Sequence, residues 1–279
     1  MTQTGGDPYD VNAYNIQTIS AVSSGEASAW SELIAADYTP MRRFVRLWRA
    51  TGWPMITLDR ALTALGLGDT SGWDDSTLTS IGQLKHLCER LGLDPVEAAC
   101  WFGALDTWQD RDTAEKPSLS LYDRLFLSPA LFSATEQAEA GFPFRLNPED
   151  RSTLASTAEA LSDHIARTAS VLGLTTSALE SLVTALEERT TLDAGASGSL
   201  SVASLSLLAR WASLGRALGL APSDALRLTE LLGVGPSEST AGPFESLSDA
   251  HSLLDDAQQL LSVGFTVDEL DYPHPTRRR

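Results

Sequence analysis

The chain has 279 residues, 43% of them hydrophobic, which predicts one or two globular domains and argues against wholesale disorder. Its 20 Lys and Arg residues against 37 Asp and Glu give a formal net charge of −17, which disfavours nucleic acids and anionic membranes as partners. No apolar run reaches the ~18 residues of a membrane-spanning helix, and the polar N-terminus lacks the features of a cleavable signal peptide. The localisation stays open, because export can also proceed without such a signal.

Residues 1–38 have few apolar clusters, and we expect an irregular N-terminal lead-in there. Over residues 39–272, apolar side chains recur at helical spacing, as at Leu84, Leu87 and Leu91. No run of alternating β-branched residues indicates a strand. The sequence therefore predicts an all-α fold, an irregular array of αα-hairpins that forms a helical shell or loose solenoid with no sheet.

Helix boundaries are marked by a recurring arrangement of a glycine, an apolar residue and a helix start. Gly92 is followed by Asp94, a typical N-cap, and by Pro95 at the first helical position. Gly219 and Pro222 repeat the arrangement later in the chain. Because such turns are short, consecutive helices are expected to lie against each other as αα-hairpins.

Three further segments carry signals for the start of a helix. Thr175 offers a hydroxyl cap, and Thr266 with Glu269 has the spacing of a capping box. Asn147, followed by proline and two acidic residues, is predicted to begin another helix. A helical period of apolar residues then runs over residues 154–172.

A surface insertion is expected near residues 104–146, which are polar first and aromatic later. We expect it to cross the surface and then to dock Tyr122 and Phe126 against the helices. Residues 192–201 read as a flexible Gly/Ser loop. Residues 273–279, with two prolines and three arginines, form a divergent C-terminal tail.

The sequence contains no recognisable catalytic constellation. The nucleophile-elbow, phosphate-loop and dinucleotide-binding patterns are absent, and the four histidines are scattered without ligand spacing. Cys88 and Cys100 are predicted to be small buried residues, with a disulfide or a metal site as the alternative. We therefore predict no catalytic residue, no metal, no cofactor and no enzymatic activity.

One basic and aromatic segment, RRFVRLWRATGWPMITLDRAL, begins at Arg42 in this acidic chain. On a helix, Phe44 and Trp48 share one face, while Arg42, Arg46 and Arg49 share another. This predicts an amphipathic helix whose basic side is solvated or paired with acidic neighbours. The alternatives are an interface with another subunit or domain and a nucleic-acid contact, which the net charge disfavours.

The two tryptophans of this segment are interpreted as a packing seam. Trp48 and Trp53 are expected to bury against the helices that follow. Asp59, or acidic residues elsewhere, would balance the charge of the arginines.

The same segment resembles the A subunits of bacterial insecticidal toxin complexes and the related virulence-plasmid A proteins, which carry a pattern like RFxRLWRxxGWxxxELDxAL. The matching residues are Arg43, Phe44, Arg46, Leu47, Trp48, Arg49, Gly52, Trp53, Leu58, Asp59, Ala61 and Leu62. Three further elements follow in the order of that family: LYDRLFLSP, which contains Tyr122, Arg124 and Phe126; LARW, which contains Trp211; and GFTVDELDY near the C-terminus. The resemblance covers residues 40–272 and makes these residues candidates for structural or interface roles.

The resemblance implies a segment of the α-helical shell of a very large pentameric subunit, whose central channel injects a toxic cargo supplied by B and C subunits. It implies structural and gating roles through contacts with other toxin-complex chains or by self-association, in a secreted or cell-surface assembly. No nucleic acid, small-molecule substrate or membrane contact is expected of this segment. After Tyr272 the sequence departs from the family pattern, so we expect a truncated form that is not pore-forming by itself. The alternative is a stand-alone helical module for protein–protein interaction.

Overall fold

The structure is a computed structural model, and it describes residues 2–3, 14–15, 17–20, 29–32, 35–68, 73–108, 119–139, 141–156, 159–188, 199–233, 244 and 246–271. The chain separates into two compact units. The first comprises Met1–Met55 with Asp69–Trp73, and the second comprises Ile56–Gly68 with Asp74–Arg279. The tail at 273–279 and most of the Gly/Ser loop lie outside the described residues.

The first unit contains two short antiparallel strand pairs and one long helix. Strand β1 (Thr2–Gln3) pairs with β2 (Tyr14–Asn15), and β3 (Gln17–Ser20) pairs with β4 (Ala29–Glu32). Helix α1 (Ala35–Thr51) follows. Helices dominate the described residues and these strands are confined to the lead-in, so the predicted all-α class is confirmed.

Further helices follow α1 along the chain. They are α2 (Met55–Ala64), α3 (Asp75–Leu91), α4 (Pro95–Ala99), α5 (Leu121–Phe126), α6 (Ala134–Ala138), a 3-10 helix (Leu161–His164), α7 (Ile165–Leu172), α8 (Thr176–Glu187), α9 (Val202–Leu218), α10 (Pro222–Leu231), α11 (Leu247–Ser262) and α12 (Val267–Asp271).

Glycine ends several helices as the sequence predicted. Gly92 ends α3 with a φ of 66°, a left-handed conformation that residues with a Cβ rarely adopt. The next amide, that of Leu93, then donates to the carbonyl of Cys88, at 3.1 Å. Gly219 ends α9 in the same way, with Leu220 donating to Gly215 at 2.9 Å. These bonds satisfy carbonyls that the helix end would otherwise leave without a partner, and they turn the chain sharply.

The predicted N-caps are also confirmed. The Asp94 carboxylate accepts from the amides of Val96 and Glu97 at 2.9 and 3.3 Å, with proline at the first position of α4. At α12, the Glu269 carboxylate accepts from the amide of Thr266 at 2.8 Å, and the Thr266 hydroxyl accepts from the amide of Glu269 at 3.3 Å. Each cap satisfies backbone donors in a first helical turn, which fixes where the helix starts.

The predicted helix beginning at Asn147 is wrong. The segment instead forms a hairpin-like turn, in which Asn147 donates to the carbonyl of Thr153 at 2.8 Å and Ala155 donates to Arg145 at 2.7 Å. The Thr153 carbonyl and the Ala155 amide are therefore engaged across the turn and do not form helical hydrogen bonds. Arg151 has a φ of 55°, which no right-handed helix accommodates. The helix predicted from residue 154 therefore begins later, at the 3-10 turn that precedes α7.

Helix α9 lies in the core of the second unit. Every residue from Ser204 to Gly215 is buried except Arg210, which is partly buried. A helix that is buried on nearly all sides is typical of a central core element. Gly215 lets the chain fold back closely, because a Cβ there would lie 3.0 Å from the carbonyl oxygen of Leu220. The Trp211 candidate belongs to this buried helix, with 1% of its surface exposed.

Candidate interaction surface

Helix α1 of the first unit presents three arginines on one exposed face. Arg42, Arg46 and Arg49, spaced i, i+4 and i+7, are all exposed, and we call them the arginine stripe. The structure assigns their guanidinium groups no ion pair with any described residue. On the other side of the helix, Leu47 is buried and Phe44 is half-buried. The basic face is therefore available to solvent or to a partner.

The tryptophans of the same segment are half-buried. Trp48 lies one turn before the end of α1, where its carbonyl accepts from the Thr51 hydroxyl at 3.1 Å and from the Gly52 amide at 3.1 Å. Trp53 follows the end of the helix, and its amide donates a hydrogen bond to the Thr51 hydroxyl oxygen at 3.4 Å. Asp59 lies on the exposed side of α2. The segment thus contributes hydrogen bonds that end α1, together with aromatic surface that is partly open.

The Tyr122 and Phe126 candidates of helix α5 lie in the core of the second unit. Their rings stack with centroids 4.8 Å apart, and the Tyr122 hydroxyl donates to the carbonyl of Phe144 at 2.9 Å. Phe144 in turn contacts Phe132 and Phe142, with centroids 5.7 and 5.8 Å away. Burial raises the pKa of Tyr122 well above its ordinary value, so the phenol stays protonated and acts as a structural donor.

Buried charges surround the start of α5. Asp123 accepts from the Ser120 amide at 3.3 Å and pairs with Arg151 at 2.5 Å. The Arg151 guanidinium also donates to the carbonyl of Thr107 at 2.7 Å. Only 16% of the arginine side chain and 6% of the aspartate side chain are exposed, so each charge depends on the other for compensation. The sequence signal for Asp123 is its position three residues after Ser120, which is the spacing of a capping box.

A second buried pair joins α2 to the loop before α5. Arg60 lies 3.6 Å from Asp106, donates to the carbonyl of Leu119 at 2.7 Å, and stacks over the Trp108 ring at 5.3 Å. Burial raises the pKa of Asp106, while the amide of Leu121 and the charge of Arg60 act in the opposite direction. Both pairs tie the described part of the predicted insertion to the helical body.

The Arg124 candidate differs from its buried neighbours. It is exposed and lies 3.5 Å from Asp94, with 42% and 39% of the two side chains exposed. Such an open pair is screened by solvent and contributes little to stability. Within the motif LYDRLF, the aromatic residues and Asp123 therefore belong to the core, and Arg124 belongs to the surface.

A small cavity of about 20 Å³ lies between α4 and α9, large enough for about one water molecule. Along its wall the Trp101 indole donates to the Ser213 hydroxyl at 3.1 Å, and that hydroxyl donates to Glu97 at 2.7 Å. Cys100 also lines it as a free buried thiol, and burial raises its pKa to about 12. The thiolate is therefore disfavoured, as it is for Cys88, and the prediction of small buried cysteines is confirmed.

Helices α3 and α11 meet along a polar seam that the sequence did not suggest. His86 and His251 face each other with ring centroids 5.2 Å apart. Beside them, Arg90 pairs with Asp255 at 2.7 Å and donates to Gln258 at 2.6 Å. The two histidines are far apart in the chain, so no local spacing pattern could reveal the pair.

Within the described ranges, no group of three or more His, Cys, Asp or Glu residues is placed to hold a metal ion. In the same part of the chain, no single helix is long and apolar enough to cross a membrane. One pair, Leu161–Leu172 and Thr176–Glu187, has the combined length and composition but meets at a bend of 114°.

A scan against protein-family models finds no matching family, and a search of curated proteins finds no match.

Proposed function

We propose that the chain is a non-enzymatic segment of a helical shell, resembling that of toxin-complex A subunits, and that it acts through protein–protein contacts. Four sequence elements in the order of that family support the proposal, together with the all-α fold. In an assembly of this kind the chain contributes structure to a virulence or insecticidal complex. It needs partner chains rather than a substrate.

The residues that match the family pattern include both buried and exposed side chains. The buried ones include Leu47, Leu58, Ala61, Leu62, Tyr122, Phe126, Trp211 and Val267. The exposed ones include Arg46, Arg49, Asp59 and Arg124. Buried members account for folding, whereas exposed charged members do not contribute to a core and are available for recognition.

The arginine stripe is the observation that carries the proposal. It presents three exposed positive charges in a chain whose formal net charge is −17. Opposite charges on two protein surfaces steer association and fix its register. A second copy of this acidic chain supplies a complementary surface, so self-association is the first interaction to test.

The test is sedimentation velocity of the purified chain at about 0.1 M and about 1 M NaCl, where the Debye lengths are about 10 and 3 Å. We expect species heavier than the 29.9 kDa chain at low salt, and dissociation at high salt. The double variant Arg46→Glu, Arg49→Glu should shift the low-salt distribution to the monomer. Arg124→Glu, Arg167→Glu makes the same change in net charge at exposed positions outside α1 and should leave the assembly intact.

Two results would overturn this proposal. A monomer under both salt conditions would favour a stand-alone helical module whose partner is another protein. Equal loss of assembly in the two double variants would mean that net charge, and not the arginine stripe, controls association.

A further inference from the structure

We propose that His86 and His251 form a two-histidine site for a divalent transition metal, which would join helices α3 and α11. The site is independent of the proposed shell function, because it lies on different helices from the arginine stripe. Three features favour metal binding at this site: the spacing of the two rings, the hydrogen bond that fixes the protonated nitrogen of His251, and the exposure of His86.

The spacing of the rings suits two nitrogens bound to one metal. A zinc–nitrogen bond is about 2.1 Å and places the centre of an imidazole ring about 3.2 Å from the metal, so two rings at the tetrahedral angle have centres about 5.2 Å apart. The His86 and His251 centroids are 5.2 Å apart, and the rings are stacked with 27° between their planes. The lone pairs of stacked rings do not meet at one point, so metal binding requires the exposed His86 ring to turn and direct a nitrogen into the groove.

The hydrogen bond of His251 leaves one ring nitrogen unprotonated and able to bind a metal ion. Its Nε2 atom lies 3.0 Å from the backbone carbonyl oxygen of Gln83. A carbonyl only accepts, so Nε2 carries the proton and, in the neutral ring, Nδ1 keeps its lone pair. A metal-bound histidine usually donates the N–H of its other ring nitrogen to a carbonyl, a carboxylate or a water, as His251 does to Gln83.

The surroundings of the pair leave room for water ligands. The groove is open and is lined by Thr79, Gly82, Gln83, His86, Arg90, His251 and Asp255. The Arg90 charge is compensated by Asp255 at 2.7 Å, so the side of the groove next to the histidines carries little net positive charge. Lys85 is likewise paired with Glu89, at 2.7 Å. Two imidazoles and two waters would complete a tetrahedral shell for Zn²⁺, and the same nitrogens suit Ni²⁺ and Cu²⁺.

The first measurement is calorimetric titration of the full chain with ZnCl₂ at about pH 7.5, where most histidines are neutral. We expect saturable binding of one ion per chain. His86→Gln and His251→Gln should each weaken binding at least about 10-fold. Gln83→Ala keeps the backbone carbonyl and serves as the matched control, with binding unchanged.

Thermal unfolding provides a second readout. A metal that joins α3 to α11 in the native state should raise the Tm of the wild type by about 5–10 °C at a hundredfold excess over its dissociation constant. The double variant His86→Gln, His251→Gln, which retains all the acidic residues, should show no such rise. Because His86 is exposed, His86→Gln is expected to fold, and its Tm without zinc verifies this. Equal zinc affinity in wild type and both single variants would overturn the proposal, as would multiple weak sites that persist in the double variant.

Discussion

Removal of the Asp123 carboxylate tests whether the motif LYDRLF is part of the structural frame. In Asp123→Ala, the Arg151 guanidinium loses the Asp123 carboxylate while only 16% of its side chain is exposed, and the Ser120 amide loses an acceptor. Loss of one partner of a buried pair costs about 3–5 kcal/mol. Because Arg151 keeps its bond to the Thr107 carbonyl, we expect a loss near the lower limit, about 3 kcal/mol.

The matched control is the adjacent residue of the same helix. Arg124→Ala removes an exposed charge whose pairing with Asp94 spans 3.5 Å, so we expect a change of about 0–1 kcal/mol. Urea unfolding followed by circular dichroism measures both variants, and unchanged m-values would show that the unfolded states are comparable. If Asp123→Ala cost less than about 1 kcal/mol, or no more than Arg124→Ala, the argument from buried charge compensation would be refuted.

Further predictions concern backbone space and helix caps. Gly103→Ala would place a Cβ 1.9 Å from the carbonyl oxygen of Ala64, so urea unfolding should show a loss of about 3 kcal/mol. Gly82→Ala lies on the open face of α3, where the new Cβ meets no atom within 4 Å beyond its own helix backbone, so this variant should instead stabilise the chain by about 1 kcal/mol. A larger loss of stability in Gly82→Ala than in Gly103→Ala would contradict the packing around Gly103. Ser133→Ala removes the hydroxyl that donates to the Glu136 carboxylate at 2.7 Å and lowers its pKa, so NMR titration should find that pKa raised toward its ordinary value. Because a lowered carboxyl pKa stabilises the fold above the unfolded-state pKa, this contribution should disappear as the pH falls through the folded-state pKa, and an unchanged pKa in Ser133→Ala would exclude the hydroxyl as its cause.

The parts of the fold that the sequence predicted are those set by neighbouring residues. Asp94 and Thr266 begin helices because an N-cap contacts amides two or three positions away, and Gly92 ends one because its own backbone adopts the left-handed conformation. The all-α class follows in the same way from apolar spacing. Such local rules require no knowledge of tertiary contacts.

The parts that the sequence did not predict depend on distant residues. Asn147 carries a good helix-start signal, yet its amide donates to the carbonyl of Thr153 and closes a hairpin-like turn. Asp123 gains its importance from Arg151, and His86 from His251 on another helix. No periodicity within one helix records these pairings, because they form only when the helices pack.

Hydrogen–deuterium exchange over α1 tests most directly whether this helix is a contact surface for another protein chain. Amide exchange would be followed in peptides covering α1, at low and high protein concentration, in about 0.1 M and about 1 M NaCl. We predict slower exchange in α1 at the higher concentration, only in low salt, and no such change in Arg46→Glu, Arg49→Glu. Exchange in α1 that is independent of concentration and salt would contradict the assignment of the arginine stripe as an interface between copies of this chain.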